Sequence, residues 1–257
     1  MDIPEIVMLS KSEGFRMVFL LVMWAELLFG GYLIGRVVDD NRHRMPVWTR
    51  ITSSFVLVLA AWSWWYFMRD SAMDVLSAWI ALGMTLGFIG DLFMAQLLPF
   101  RRHVLAGMFA FGVGHVAYII GLWQAATRFS LDNVALIVTM VLLSWGIAVA
   151  VWVQIIYRPA QTRTFLHFAA LPYGVVLATT GGMAIALALQ DWAFVLVALG
   201  AVLFLASDVI LSLNLFNNVV FRRIHDVVWL TYGPGQMFIV YGLAFFALGI
   251  STSLIGL

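Results

Sequence analysis

Cysteine is absent from this chain, and lysine occurs once, at Lys11. Without cysteine there is no disulfide, no thiolate nucleophile and no thiolate metal ligand. A bundle lysine able to form a Schiff base, as a rhodopsin-like pigment needs, is excluded too, because Lys11 precedes the first apolar run. Charge of either sign is scarce. Only 11% of the 257 residues are charged, against about 25% in soluble domains. The net charge of +1 leaves no basic surface for nucleic acid beyond short loop clusters. HExxH, P-loop and serine-nucleophile motifs are missing. The histidines have no histidine partner three or four residues away, which argues against a zinc site.

What the chain does have is long hydrophobic runs. With 63% hydrophobic residues it reads as an all-α, polytopic membrane helical bundle. Windows of about 20 residues predict eight transmembrane helices, at 15–35, 50–68, 75–97, 104–124, 132–156, 165–189, 192–216 and 226–250. The connections are short, so residues 1–257 are read as one integral membrane domain. The second span is the weakest because of the polar run Thr49 to Ser54. The first apolar run is long, contains Glu26 and is followed by no cleavage site, so it is not expected to be a signal peptide.

Arginine placement orients the bundle. Arg36, Arg42, Arg44, Arg50, Arg101, Arg102, Arg158, Arg163, Arg222 and Arg223 fall at one end, and Lys11, Arg16, Arg69 and Arg128 at the other. Positive residues favour the cytoplasm, so both termini are expected on the non-cytoplasmic side of a bacterial inner (plasma) membrane. Trp62, Trp64, Trp65 and Tyr66 read as an interfacial belt. The other reading is a cation–π cage for a quaternary ammonium head group. Gly83 with Gly87, and Ala106 with Ala110, read as close-packing pairs.

Against this background two aspartates stand out. Asp91 follows Gly90, and Asp208 follows Ser207, each deep in an apolar run and 117 residues apart. An acid inside a bilayer is expensive and is by default a functional hypothesis. The similar settings fit a four-plus-four duplication, whose halves would be parallel because each holds an even number of spans. Counting inward from the arginines at about 1.5 Å per residue, Asp91, His115, Tyr173, Asp208, Tyr232, Gln236 and Glu26 all lie about 14–21 Å from the same end. That shared depth predicts a cavity. Tyr118 shares a helix face with His115, and Gln236 with Tyr232. Pro172 is expected to loosen the helix before Tyr173. Two carboxyls brought together in low dielectric do not both ionise, which supplies an acid and a base from one residue type. Metal-free acid–base hydrolysis and proton-coupled transport of a small molecule or lipid both fit that inventory.

These segments resemble the YhhN-like lysoplasmalogenase family of eight-span membrane proteins. The pieces that carry the resemblance are Gly90-Asp91-Leu92-Phe93, then Gly107, Phe111, Gly114-His115 and Tyr118, then Tyr173, Phe204, Ser207-Asp208, and Tyr232 with Gln236. Where that family usually has Lys-Pro at the start of span two, this chain has Arg50-Ile51. The resemblance implies hydrolysis of the vinyl-ether bond of lysoplasmalogens, single-chain lysophospholipids, to a fatty aldehyde and glycerophosphocholine or glycerophosphoethanolamine, with no cofactor. One of Asp91 and Asp208 would protonate the alkene, and the other would stabilise the cation and activate water. His115, Tyr118, Tyr173, Ser207, Tyr232, Gln236 and Glu26 would orient substrate and acids, and Arg50 would hold the phosphate.

Overall fold

A computed structural model describes residues 9–37 and 43–247. Arg42 and residues 248–250 of the eighth predicted span lie outside the described residues. Seven helices are long and apolar enough to cross a membrane: α1 (Lys11–Ile34), α2 (Val47–Met68), α3 (Asp74–Met94), α4 (His103–Arg128), α5 (Val134–Tyr157), α6 (Phe165–Gln190) and α7 (Trp192–Asn217). The eighth predicted span is met by α8 (Ile224–Tyr241), followed after a break at Gly242 by a short α9 (Leu243–Ala247). The protein is therefore a polytopic helical membrane protein.

Local sequence explains where several helices begin and end. Ser10 and Glu13 form a reciprocal capping box at the start of α1: Ser10 N–H donates to Glu13 Oε2 and Glu13 N–H to Ser10 Oγ. Asn218, in the left-handed region at φ 52°, ends α7. Contrary to the expected loosening, α6 runs unbroken through Pro172. Trp152 Nε1 donates to the His167 carbonyl nearby. Both α1 and α5 contain a π-helical stretch, Glu26–Gly30 and Trp152–Tyr157, a local widening that frequently marks functional positions.

Packing follows the two halves. Within each half the closest pairing is between its third and fourth helices, α3 with α4 and α7 with α8. Glycine makes this possible: a Cβ on Gly114 would meet the Gly83 carbonyl at 2.9 Å, and one on Gly200 would meet the Gly235 carbonyl at 2.5 Å. Each acid lies eight residues beyond its helix's contact glycine, Asp91 after Gly83 and Asp208 after Gly200. The central core takes side chains from most of the helices, including Trp24, Trp64, Met84 and Phe194. Trp64, expected at an interface, is buried there against Tyr241. At the other extreme, α5 buries little beyond Ile137 and Ile156 and packs mainly along α6.

Candidate active site

The first acid is sealed. Asp91, on α3, is 3% exposed. Its Oδ2 accepts hydrogen bonds from Ser54 Oγ of α2 at 2.5 Å and from Tyr232 Oη of α8 at 3.0 Å. The network continues: Gln236 Nε2 donates to Tyr232 Oη at 3.3 Å, and Tyr118 Oη donates to Gln236 Oε1 at 3.0 Å. Gly87 leaves the room Gln236 needs, since a Cβ there would come within 2.9 Å of Nε2. Buried polar groups are tolerated only when paired, and this chain of bonds ties α2, α3, α4 and α8 together.

The second acid is open. Asp208, on α7, is half-buried and accepts from Tyr173 Oη of α6 at 2.6 Å. Both residues line an apolar cavity of about 390 Å³ enclosed chiefly by α4, α5, α6 and α7. In each half, then, the acid on the third helix takes a hydroxyl from the second helix: Ser54 in one, Tyr173 in the other.

An aromatic wall adjoins both. Phe111 lines the cavity and packs edge-on against Tyr232 and Phe204, with ring centroids 5.9 Å apart in both pairs. Phe204 and Tyr232 are themselves 5.2 Å apart. No hydrogen bond joins Asp91 to Asp208, and they share no donor among the described residues. Each acid thus has its own hydroxyl donor, and the Tyr173 hydroxyl that serves Asp208 is also within coulombic reach of Asp91. Shared depth along the helices carried no information on the direction in which each side chain points.

The YhhN family model matches residues 46–243, which take in both acids, both donor hydroxyls and the wall. The chain belongs to the YhhN family. No curated protein and no solved structure matches it.

The other expected residues of this YhhN-family protein divide. His115 is buried; its Nδ1 pairs with Thr180 Oγ1 at 3.0 Å, and its ring packs against Phe204 and Tyr118. It thus supports the wall from behind. Its Nε2 is buried with no partner among the described residues. Arg50 lies one turn before Ser54, with its guanidinium over the Trp229 ring at 5.6 Å and within coulombic reach of Asp226 and Asp91. Trp229 in turn packs on Tyr232. Ser207 turns away from the cavity and donates to the Phe204 carbonyl of its own helix. Glu26 is exposed on α1 and makes no described bond to the site. Neither of the last two is brought to an acid. Among the described residues no three His, Asp or Glu side chains gather as they would around a metal ion.

Ser54, Thr180 and Trp229 were not anticipated. Ser54 had a signal in the sequence, because Arg50 and Ser54 share a helix face at i, i+4 within the polar run that weakened span two. Asp91→Ala removes the acceptor for two buried hydroxyls, each costing about 1–3 kcal/mol when left unpaired. The variant is expected to unfold at a distinctly lower temperature in detergent, while Asp91→Asn, which keeps an acceptor oxygen, loses less. An alanine variant as stable as the wild type would show that the network does not hold the helices.

Proposed function

We propose that this protein is an intramembrane hydrolase of the lysoplasmalogenase type, cleaving the vinyl-ether bond of a single-chain ether lysophospholipid. The observation that carries the reading is an acid with a hydroxyl donor, Asp208 with Tyr173, set in the wall of a largely apolar cavity. YhhN family membership supports the same reaction class.

In this reading Asp208 starts protonated and gives its proton to the β-carbon of the alkene. The double-bond electrons form the new C–H bond, and the α-carbon becomes an oxocarbenium ion conjugated to the ether oxygen. The carboxylate left behind stabilises that cation and takes a proton from the water that attacks the α-carbon. The hemiacetal then breaks its bond to the glycerol oxygen, its hydroxyl proton passing to that oxygen by way of the carboxyl. One water is consumed, and a fatty aldehyde and a chain-free glycerophosphoalcohol are released. Tyr173 holds the carboxyl in place throughout. Asp91 acts as a positioning residue, fixing Tyr232 and through it Phe111. The natural setting is a bacterial inner membrane, with both termini on the non-cytoplasmic side.

Tyr173→Phe is expected to slow turnover by about ten- to a hundredfold, the worth of a hydrogen bond to a charged group of about 1.5–3 kcal/mol, with the protein still folded. An unchanged rate would remove Tyr173 from the chemistry. The reading as a whole is tested with three lipids that differ only in the chain linkage. The purified protein should release fatty aldehyde from the vinyl-ether lipid and leave the saturated alkyl-ether and acyl analogues intact. Cleavage of the acyl analogue alone would make the protein an esterase and overturn the proposal.

A further inference from the structure

The cavity extends well beyond the acid it contains. Along α6 it is lined from Ala170 to Ile185, about 22 Å of helix rise, and along α7 from Val202 to Phe216, about 21 Å. Its volume of about 390 Å³ is drawn out along that length, a shape that a hydrocarbon chain lying parallel to the helices fills. Past Tyr173 the lining continues for about 18 Å on α6, and past Asp208 for about 9 Å on α7. Those lengths bracket the reach of a lipid chain through one leaflet, about half of a 30 Å hydrocarbon core.

Its two ends differ. The end at Phe216 lies on the arginine side of the bundle, where Trp152 packs on Tyr157 and the Arg163 guanidinium covers the Tyr157 ring at 4.1 Å. The far end, around Gly181 and Ile185, is apolar. Access from the bilayer is also built in. The α5 helix packs along α6, and its main contact with α7 is made by its π-helical end, so it stands away from α7 deeper in the membrane.

We propose that this cavity is a measuring tunnel for one straight hydrocarbon chain, entered sideways past α5, with the polar head at the arginine end and Gly181 at the position that sets the longest chain accepted. The inference rests on the proposed function only for which bond reacts at Asp208; the binding of a chain does not depend on it. Two glycines in the lining make it testable. A Cβ on Gly174, next to Tyr173, meets nothing within 4 Å, so a larger side chain there enters the cavity without disturbing packing. A Cβ on Gly181 meets only Leu205 Cδ1, at 3.0 Å, the end of a flexible side chain. Gly146, exposed on α5 and outside the cavity lining, also meets nothing and serves as the control.

The test uses the full-length protein in nanodiscs of diacyl phosphatidylcholine, titrated with radiolabelled straight-chain alkylphosphocholines of increasing length, which carry no cleavable bond in the chain. Wild type and Gly146→Leu should bind saturably and stoichiometrically despite the excess of two-chain lipid. Gly174→Leu should weaken binding of every length by at least about tenfold, as overfilling a packed space does. Gly181→Leu should keep the short chains and lose the long ones. The proposal is overturned by absence of saturable binding in the wild type, or by equal binding in all four proteins. If binding follows this pattern but no lipid is hydrolysed, the tunnel stands and the hydrolase reading falls. If aldehyde is released but Gly181→Leu has the wild-type chain-length profile, the reverse holds.

Discussion

Asp208→Asn should reduce aldehyde release by about 10²- to 10⁴-fold, the usual contribution of a positioned proton donor, while the protein remains folded. The second half of that expectation follows from what Asp208 touches. Its described side-chain bond is the one accepted from Tyr173, and an amide oxygen accepts the same bond. The side chain faces a cavity, and its one described tie to another helix, to Tyr173 of α6, survives the substitution. An amide cannot protonate carbon, so chemistry is lost where structure is not. The matched substitution in the other half should behave differently. Asp91→Asn acts through Tyr232, and its effect on rate should be smaller and follow its effect on the position of that ring. Should Asp208→Asn keep a tenth or more of wild-type turnover, the proton comes from elsewhere.

The largest structural effect is expected at Gly200. A single methyl there would lie 2.5 Å from the Gly235 carbonyl oxygen, 2.9 Å from the Ile239 nitrogen and 2.8 Å from Ile239 Cγ1. Two of those atoms are backbone, so relief requires α8 to move away from α7. Overpacking a core costs about 1–3 kcal/mol when side chains can yield, and more when they cannot. Gly200→Ala should therefore cost at least about 3 kcal/mol, and Gly200→Val should fail to yield folded protein. The movement also separates α7, which carries Asp208, from α8, which carries Tyr232. Activity should fall with stability, in contrast to Asp208→Asn. Gly87→Ala is the milder comparison, because its Cβ meets side-chain ends alone, Gln236 Nε2 at 2.9 Å and Tyr232 Oη at 3.8 Å. Thermal unfolding of Asp208→Asn, Gly87→Ala and Gly200→Ala in one detergent checks the order. A Gly200→Ala protein as stable as the wild type would mean that α7 and α8 are not locked by this contact.

The spans were legible because hydropathy is a property of composition along the helix axis. The second, predicted at 50–68, forms over Val47–Met68 even though its first turns are polar. Those polar groups are paired locally: Thr49 Oγ1 donates to the Pro46 carbonyl, Ser53 Oγ to the Arg50 carbonyl, and Ser54 Oγ to Asp91. Rotation about the axis was not legible. Glu26 shares the depth of the acids and faces outward, and Ser207, adjacent to Asp208, turns inward against its own helix. Asp91 and Asp208 likewise share a depth, but which hydroxyl each accepts from was not legible. The wall of Phe111, Phe204 and Tyr232 depends on which rings meet across α4, α7 and α8, a tertiary property that spacing within one helix does not encode. The suspected duplication gains particular content in the paired donors, Ser54 for Asp91 and Tyr173 for Asp208, and in the paired glycine contacts eight residues before each acid.

The central claim is protonation at carbon by a buried acid, and hydrolysis in heavy water reads it directly. The wild-type protein would be incubated with a vinyl-ether lysophospholipid in D₂O, and the aldehyde reduced as it forms to prevent later exchange. The account predicts a fatty alcohol carrying a single deuterium on the carbon next to the former carbonyl. Release of aldehyde without that deuterium, or no release from folded protein, would contradict it.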